Sequence, residues 1–227
     1  GQAVGFSPCR GYAHRRSSTD MARLTDRGVT MALHFEPLCE FMGAEITDFD
    51  LGAEHGDDIV AELRTLLGEH SLLLFRDQDL TPASQIAFSR RLGPLEAHVL
   101  KDFCLVDHPE VFVVSNVVED GRHIGAYGGS KQFHTDLAYR EQPSMGSVFR
   151  CLETPVTGGQ TEFASMFEAF DRLPAADRKW LAGRVAVYDY AWDYPRRQTQ
   201  RPPLTDVQKR AVPPVMHPCV RTHPVCP

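Results

Sequence analysis

The sequence contains no C-x-x-C pair, no internal repeat, no basic excess and no apolar run near the ~20 residues that a membrane helix needs. Each absence removes a class of protein. Without paired cysteine spacing, Cys9, Cys39, Cys104, Cys151, Cys219 and Cys226 make neither a disulfide scaffold nor a thiolate zinc site. They read as reduced thiols of a cytoplasmic protein. A net charge of -6, with acids and bases interspersed, offers no basic face for nucleic acid. The missing apolar run excludes a membrane helix.

What is present supports one domain, or one and a fraction: 227 residues with an ordinary apolar share, enough for a sizeable core. The first thirty residues differ in texture. They carry Arg10, Arg15, Arg16, Arg23 and Arg27 but little apolar periodicity. The Arg15-Arg16 pair is followed by a polar stretch rather than the apolar region an export signal requires. Residues 1–30 therefore read as a disordered extension, or as translated sequence ahead of the true start, and the folded part as 31–227.

Along the folded part, Met31–Glu45 predicts an opening strand with a turn at Gly43. Asp57-Asp58 opens a helix whose face is Ile59, Leu63, Leu66, Leu67 and His70. Ser71–Arg76 is a short apolar strand. Thr81-Pro82 is an N-cap followed by proline at the first helical position, and Gly93-Pro94 ends that helix near Leu92. Val111–Val118 and Gly146–Glu153 read as strands, residues 119–131 as a loop, and Pro155–Gln160 as a turn around Gly158-Gly159. Ser165 caps a helix with Met166, Phe167, Phe170 and Leu173 on one face, and Pro174 ends it. Ala175–Ala182 forms a second helix and Arg184–Tyr190 a strand. Residues 193–214, rich in arginine and proline, read as a long loop. Short strands separated by turns, with helices mainly in the first half, predict a β-rich barrel or sandwich buttressed by helices.

The sharpest chemical feature is His134-Thr135-Asp136 in FHTDLAY. On a strand or strand end, positions i and i+2 share a side, so an imidazole and a carboxylate converge. That suits two corners of an iron(II) facial triad. By itself the pair is also what an ordinary surface loop yields. Downstream, GGQTEF (158–163) sets a glycine pair, free to turn with positive φ, before a threonine hydroxyl suited to an anion. An ordinary turn explains that segment equally well.

Together, the segment FHTDLAYREQPSMGSVFRCLETPVTGGQTEFASM resembles the core signature of the taurine dioxygenase (TauD/TfdA) family. GAEITDFDL (43–51), SLLLFRDQDLTP (71–82), LGPLEAH (92–98), RPPLT (201–205) and HPCVRTHP (217–224) resemble its other landmarks, in order. The resemblance implies a double-stranded β-helix (jelly roll), α+β and mainly β, with flanking helices. It implies iron(II) bound by His134 and Asp136, with Thr161 on the carboxylate of 2-oxoglutarate. It places His98 at a substrate-contacting position, and Phe133 and Leu137 along the pocket wall. The implied reaction consumes O2, releases CO2 and succinate, and hydroxylates a small organic substrate, with an anionic one open. Arg122 and Lys131 are anion-binding candidates in the loop 119–132, although solvated loop charges fit them as well. Relatives often self-associate, so a homo-oligomer is open too.

The family pattern supplies a distal histidine ligand and a ketoacid-binding arginine beyond RTHP, where this chain reads Val225-Cys226-Pro227. The expectation is a domain incomplete at its C-terminus, with open barrel edges. His217, His223 and Arg221 are poor substitutes by position. The alternatives are an inactive fragment or pseudoenzyme of the family, and a cupin-like metal barrel. The Thr161 motif favours a ketoacid enzyme over the last.

Overall fold

A computed structural model describes residues 33–128, 132–197 and 201–224. The extension 1–30, Lys131 and Val225-Cys226-Pro227 lie outside the described residues. The chain divides into two compact units, residues 1–80 with 151–173 and 222–227, and residues 81–150 with 174–221.

In the first unit, β1 (Phe35–Pro37) pairs antiparallel with β2 (Ala44–Ile46), and β2 pairs parallel with β3 (Leu73–Leu74). The helix α1 (Asp57–His70) makes the crossover between the two parallel strands. The expected turn is present. Gly43 has φ 83°, and a Cβ there would sit 3.1 Å from the Leu38 side chain. The opening segment is thus a hairpin rather than one strand. Asp57 and Asp58 lie in the first turn of α1, and Ser71 closes it in the left-handed region. The buried face of α1 is Val60, Leu63, Leu66 and His70. Ile59 and Leu67 are only half-buried, because the packed stripe centres on Leu63 and Leu66. Against it pack the sequence neighbours of β1 and β2, with Leu33, Phe35, Met42, Ala44 and Ile46 all buried. The Gln78 side chain accepts from Leu51 N at 2.7 Å and donates to Phe49 O at 2.8 Å. It thereby ties the segment 43–51 to the segment 71–82. Also in this unit, α3 (Met166–Asp171) is capped by Ser165, whose Oγ accepts from Glu168 N at 3.3 Å.

In the second unit, α2 (Pro82–Leu92) begins as expected. Thr81 and Ser84 form a reciprocal capping box, at 3.1 and 2.8 Å. Its end differs from expectation in kind. Gly93 is extended, with φ 171°, so Pro94 stops the helix by forcing its predecessor out of the α region. Against the expected strand-then-loop, a short hairpin pairs β4 (Val118–Glu119) antiparallel with β5 (Arg122–His123). Outside it, Val114 and Ala126 form an isolated parallel bridge, with Ala126 N donating to Val113 O at 2.8 Å and Ser115 N to Ala126 O at 3.0 Å. Asp120 and Gly121 both have positive φ at the tip, the conformation whose twist suits a two-residue hairpin loop. Gly125 is required here, since a Cβ would lie 2.8 Å from the Val113 carbonyl oxygen.

Two further expectations fail. Gly146–Glu153 forms no strand, because no described segment pairs with it; Phe149 is 64% exposed. Residues 193–214 are not one loop. They hold most of α5 (Tyr190–Arg197) and all of α6 (Asp206–Ala211). The α4 helix (Ala175–Leu181) precedes them as expected. Asp189 Oδ1 accepts from Trp192 N at 2.9 Å, and Thr205 and Gln208 build a capping box. Tyr194 and Leu204 join Leu100 in a buried cluster under Phe103 and Phe112. Burial and caps outweigh a composition that reads as loop. The strand β6 (Val185–Tyr188) pairs antiparallel with β7 (Val215–Pro218), setting Ala186 opposite His217.

Among the described residues, no helix is long and apolar enough to cross a membrane. Leu66 is fully buried between helix and sheet. Leu66→Ala should therefore lower stability by about 3 kcal/mol, from lost transfer energy plus a cavity. Urea denaturation of both proteins checks this.

Candidate metal centre

Residues 133–135 carry no strand. The chain instead enters a turn at Asp136, where Leu137 adopts φ 53° and Arg140 N donates to Leu137 O at 2.9 Å. The expected strand geometry is absent, yet the expected convergence occurs, with His134 Nε2 lying 3.3 Å from Asp136 Oδ1. The other ring nitrogen, Nδ1, is 3.0 Å from the Gln132 carbonyl oxygen. A carbonyl only accepts, so Nδ1 carries a hydrogen, and in the neutral ring Nε2 presents a lone pair to the carboxylate. Two lone-pair donors facing each other need a cation or proton between them. Adjacent ligands of a six-coordinate metal with ~2.1 Å bonds stand about 3 Å apart, so the pair fits two neighbouring corners of such a site. Among the described residues, no third His, Cys, Asp or Glu joins them.

The supporting atoms were not foreseen from sequence. Ser147 Oγ donates to Asp136 Oδ2 at 3.0 Å, and Ser144 Oγ reaches the Asp136 backbone carbonyl at 3.4 Å. No local signal in PSMGS announces either contact. Arg140 extends its Nη groups to the carbonyls of Ala97 and Ala211, at 3.3 and 3.5 Å. Its buried Nε and the buried Tyr139 hydroxyl have no partner among the described residues.

His98 belongs to the same unit. Its Nδ1 accepts from Leu100 N at 3.0 Å, so Nε2 carries the hydrogen, and its ring lies 4.2 Å from that of Phe112. Burial pushes its pKa down from 6.5 to about 4; Asp136 opposes this and the Arg140 and Arg201 guanidinium groups reinforce it. The ring is thus a neutral N–H donor at ordinary pH. Leu137 is half-buried, whereas Phe133 is 66% exposed. Thr161 belongs to the other unit and is exposed. It follows a turn of the expected kind, in which Gly158 and Gly159 have φ 78° and 73°. A Cβ on Gly159 would meet Pro155 Cγ at 2.8 Å.

The poor substitutes have other contacts. His217 is buried, and its Nε2 donates to Arg140 O at 2.9 Å. His223 packs its ring against Phe167, at 5.4 Å. Arg221 is exposed. Of the anion candidates in the loop, Arg122 is exposed on β5.

Residues 34–227 match the family described as taurine catabolism dioxygenase TauD, TfdA family. The chain belongs to it. It is 32% identical over 203 residues to the alpha-ketoglutarate-dependent 2,4-dichlorophenoxyacetate dioxygenase of Cupriavidus pinatubonensis, covering 85% of this chain and 70% of that protein. It is 33% identical over 205 residues to the alpha-ketoglutarate-dependent dioxygenase cnsM of Penicillium expansum, covering 86% and 55%. The crystal structure of a taurine dioxygenase from Burkholderia xenovorans superposes with a TM-score of 0.64 at 26% identity, covering 85% of this chain and 59% of that one. The chain thus spans between about half and 70% of the length of these proteins. TauD-type dioxygenases have a jelly-roll fold, and the short strands and flanking helices here fit it. The family's chemistry uses iron(II), 2-oxoglutarate and O2. Its members are enzymes by name, which favours an enzyme over an inactive relative.

The low pKa of His98 has a measurable consequence. Its imidazole should titrate near pH 4, and NMR of the ring protons reports the midpoint. Between pH 6.5 and about 4 the unfolded chain binds this proton and the folded one does not, so stability falls as pH falls through that window.

Proposed function

We propose that this chain carries the iron- and ketoacid-binding residues of a 2-oxoglutarate-dependent dioxygenase that hydroxylates a small organic anion. The observation that carries the reading is the His134–Asp136 pair. The Nε2 lone pair and Oδ1 face each other across 3.3 Å, and the outer atoms of both side chains are already engaged. In this reading His134 Nε2 and Asp136 Oδ1 hold iron(II), and the remaining corner comes from outside the described residues. Bound iron supplies the activation of O2. Thr161 Oγ1 donates to the ketoacid carboxylate. Leu137, and Phe133 beside it, wall the pocket.

Substrate orientation falls to His98. Its Nε2–H is a donor that stays neutral and stays present above pH 4. Burial is the main cause of the low His98 pKa; the Arg140 and Arg201 guanidinium groups add to it against the opposing Asp136 carboxylate, and these two cations favour an anionic substrate group. Relatives named for 2,4-dichlorophenoxyacetate and for sulfonate act on such anions. A carboxylate or sulfonate on a small organic body is therefore the proposed substrate class. Four free cysteines among the described residues support a reducing, cytoplasmic setting.

The test is an anaerobic titration with iron(II) and 2-oxoglutarate, read by the weak visible charge-transfer band of a chelated ketoacid. The band should form with the unaltered protein and vanish in His134→Ala. No band from folded, unaltered protein would reject the reading. Thr161→Ala should keep the band but raise the 2-oxoglutarate Kd about tenfold, the loss of one charge-assisted hydrogen bond of ~1.4 kcal/mol.

A further inference from the structure

We infer that Ser147 is a positioning residue of the metal centre, fixing the orientation of the Asp136 carboxylate so that one oxygen faces His134. The inference rests on the reading of His134 and Asp136 as metal ligands and adds a residue which that reading does not assign. The Asp136 side chain is 60% exposed, so packing does not fix its carboxylate. The carboxylate plane is free to twist about its last bond, and water competes for both oxygens. One direct contact limits that freedom. Ser147 Oγ donates to Oδ2 at 3.0 Å, which leaves Oδ1 turned to His134 Nε2 at 3.3 Å. The serine hydroxyl donates and the carboxylate oxygen accepts.

The contact is not a by-product of local chain geometry. Ser147 lies eleven residues beyond Asp136, in a segment without regular secondary structure. The same segment sends Ser144 Oγ to the Asp136 backbone carbonyl at 3.4 Å. Two hydroxyls three positions apart thus hold one residue, by side chain and by main chain. On the other ligand, the Gln132 carbonyl holds Nδ1 of His134 at 3.0 Å and turns Nε2 inward. Each proposed ligand therefore has one outer atom tied and one inner atom presented, an arrangement by which outer partners raise metal affinity without touching the metal.

The experiment is an anaerobic cobalt(II) titration of the full-length protein, followed by its visible ligand-field bands, with S147A and S147T alongside. Thermal unfolding midpoints are measured for all three. S147A should weaken cobalt affinity about tenfold and alter the bands at an unchanged midpoint, while S147T, which keeps the hydroxyl, should restore affinity to within about twofold. Unaltered affinity and bands in S147A would overturn the inference. So would equal weakening in both variants with a lowered midpoint, which marks a packing role. If the unaltered protein binds no cobalt, the ligand assignment itself fails, and this inference falls with it.

Discussion

A ring nitrogen and a carboxylate oxygen stand 3.3 Å apart in this protein, and the hydrogen bonds of Gln132, Ser144 and Ser147 hold the two residues that carry them. Left to themselves, two such groups repel, and a half-exposed aspartate would swing into water. Asp136 opens a turn in which Leu137 takes a left-handed conformation that a leucine does not choose unaided. Gln132 fixes the imidazole tautomer from one side. The segment 144–147 holds the aspartate from the other. The arrangement is stable in energetic terms only with a cation or proton in the gap, and its chemistry follows from that demand.

The same turn connects the centre to the surrounding fold. Arg140, whose N–H closes it, reaches the carbonyls of Ala97 and Ala211 and accepts from His217 through its own carbonyl. One side chain thus joins the turn to the residue before His98 and to the end of α6. His98 is held neutral by burial and by nearby guanidinium groups, and the Leu100 N–H decides which of its nitrogens donates. A ring that keeps one neutral donor across ordinary pH adds no titrating charge near Asp136.

Much of the local structure was legible in the residues. Thr81-Pro82, Ser165, Gly43 and the Gly158-Gly159 turn stand where expected, because caps and left-handed turns depend on a few neighbouring atoms. Where the outcome depends on distant partners, reading failed. Gly146–Glu153 has strand composition, but a strand exists only with a neighbour to pair with. The 193–214 stretch hid α5 and α6 behind arginine, proline and Pro195 within the helix itself. A Thr-x-x-Gln cap at Thr205 was present as a signal, and the burial of Tyr194 and Leu204 was not.

The sequence by itself determined which donor atoms the centre can offer, the order of the family's landmarks, and the caps and glycine turns that fold within a few residues. Only the tertiary structure decided how those donors point. The orientation of the Asp136 carboxylate toward His134 is held by a hydroxyl eleven residues away. The engagement of His217 depends on a carbonyl 77 residues away. His98 loses its second proton because the fold buries its ring against Phe112. Composition and spacing encode chemistry that acts over one or two turns of chain. Orientation and desolvation arise from groups that meet only once the chain has folded.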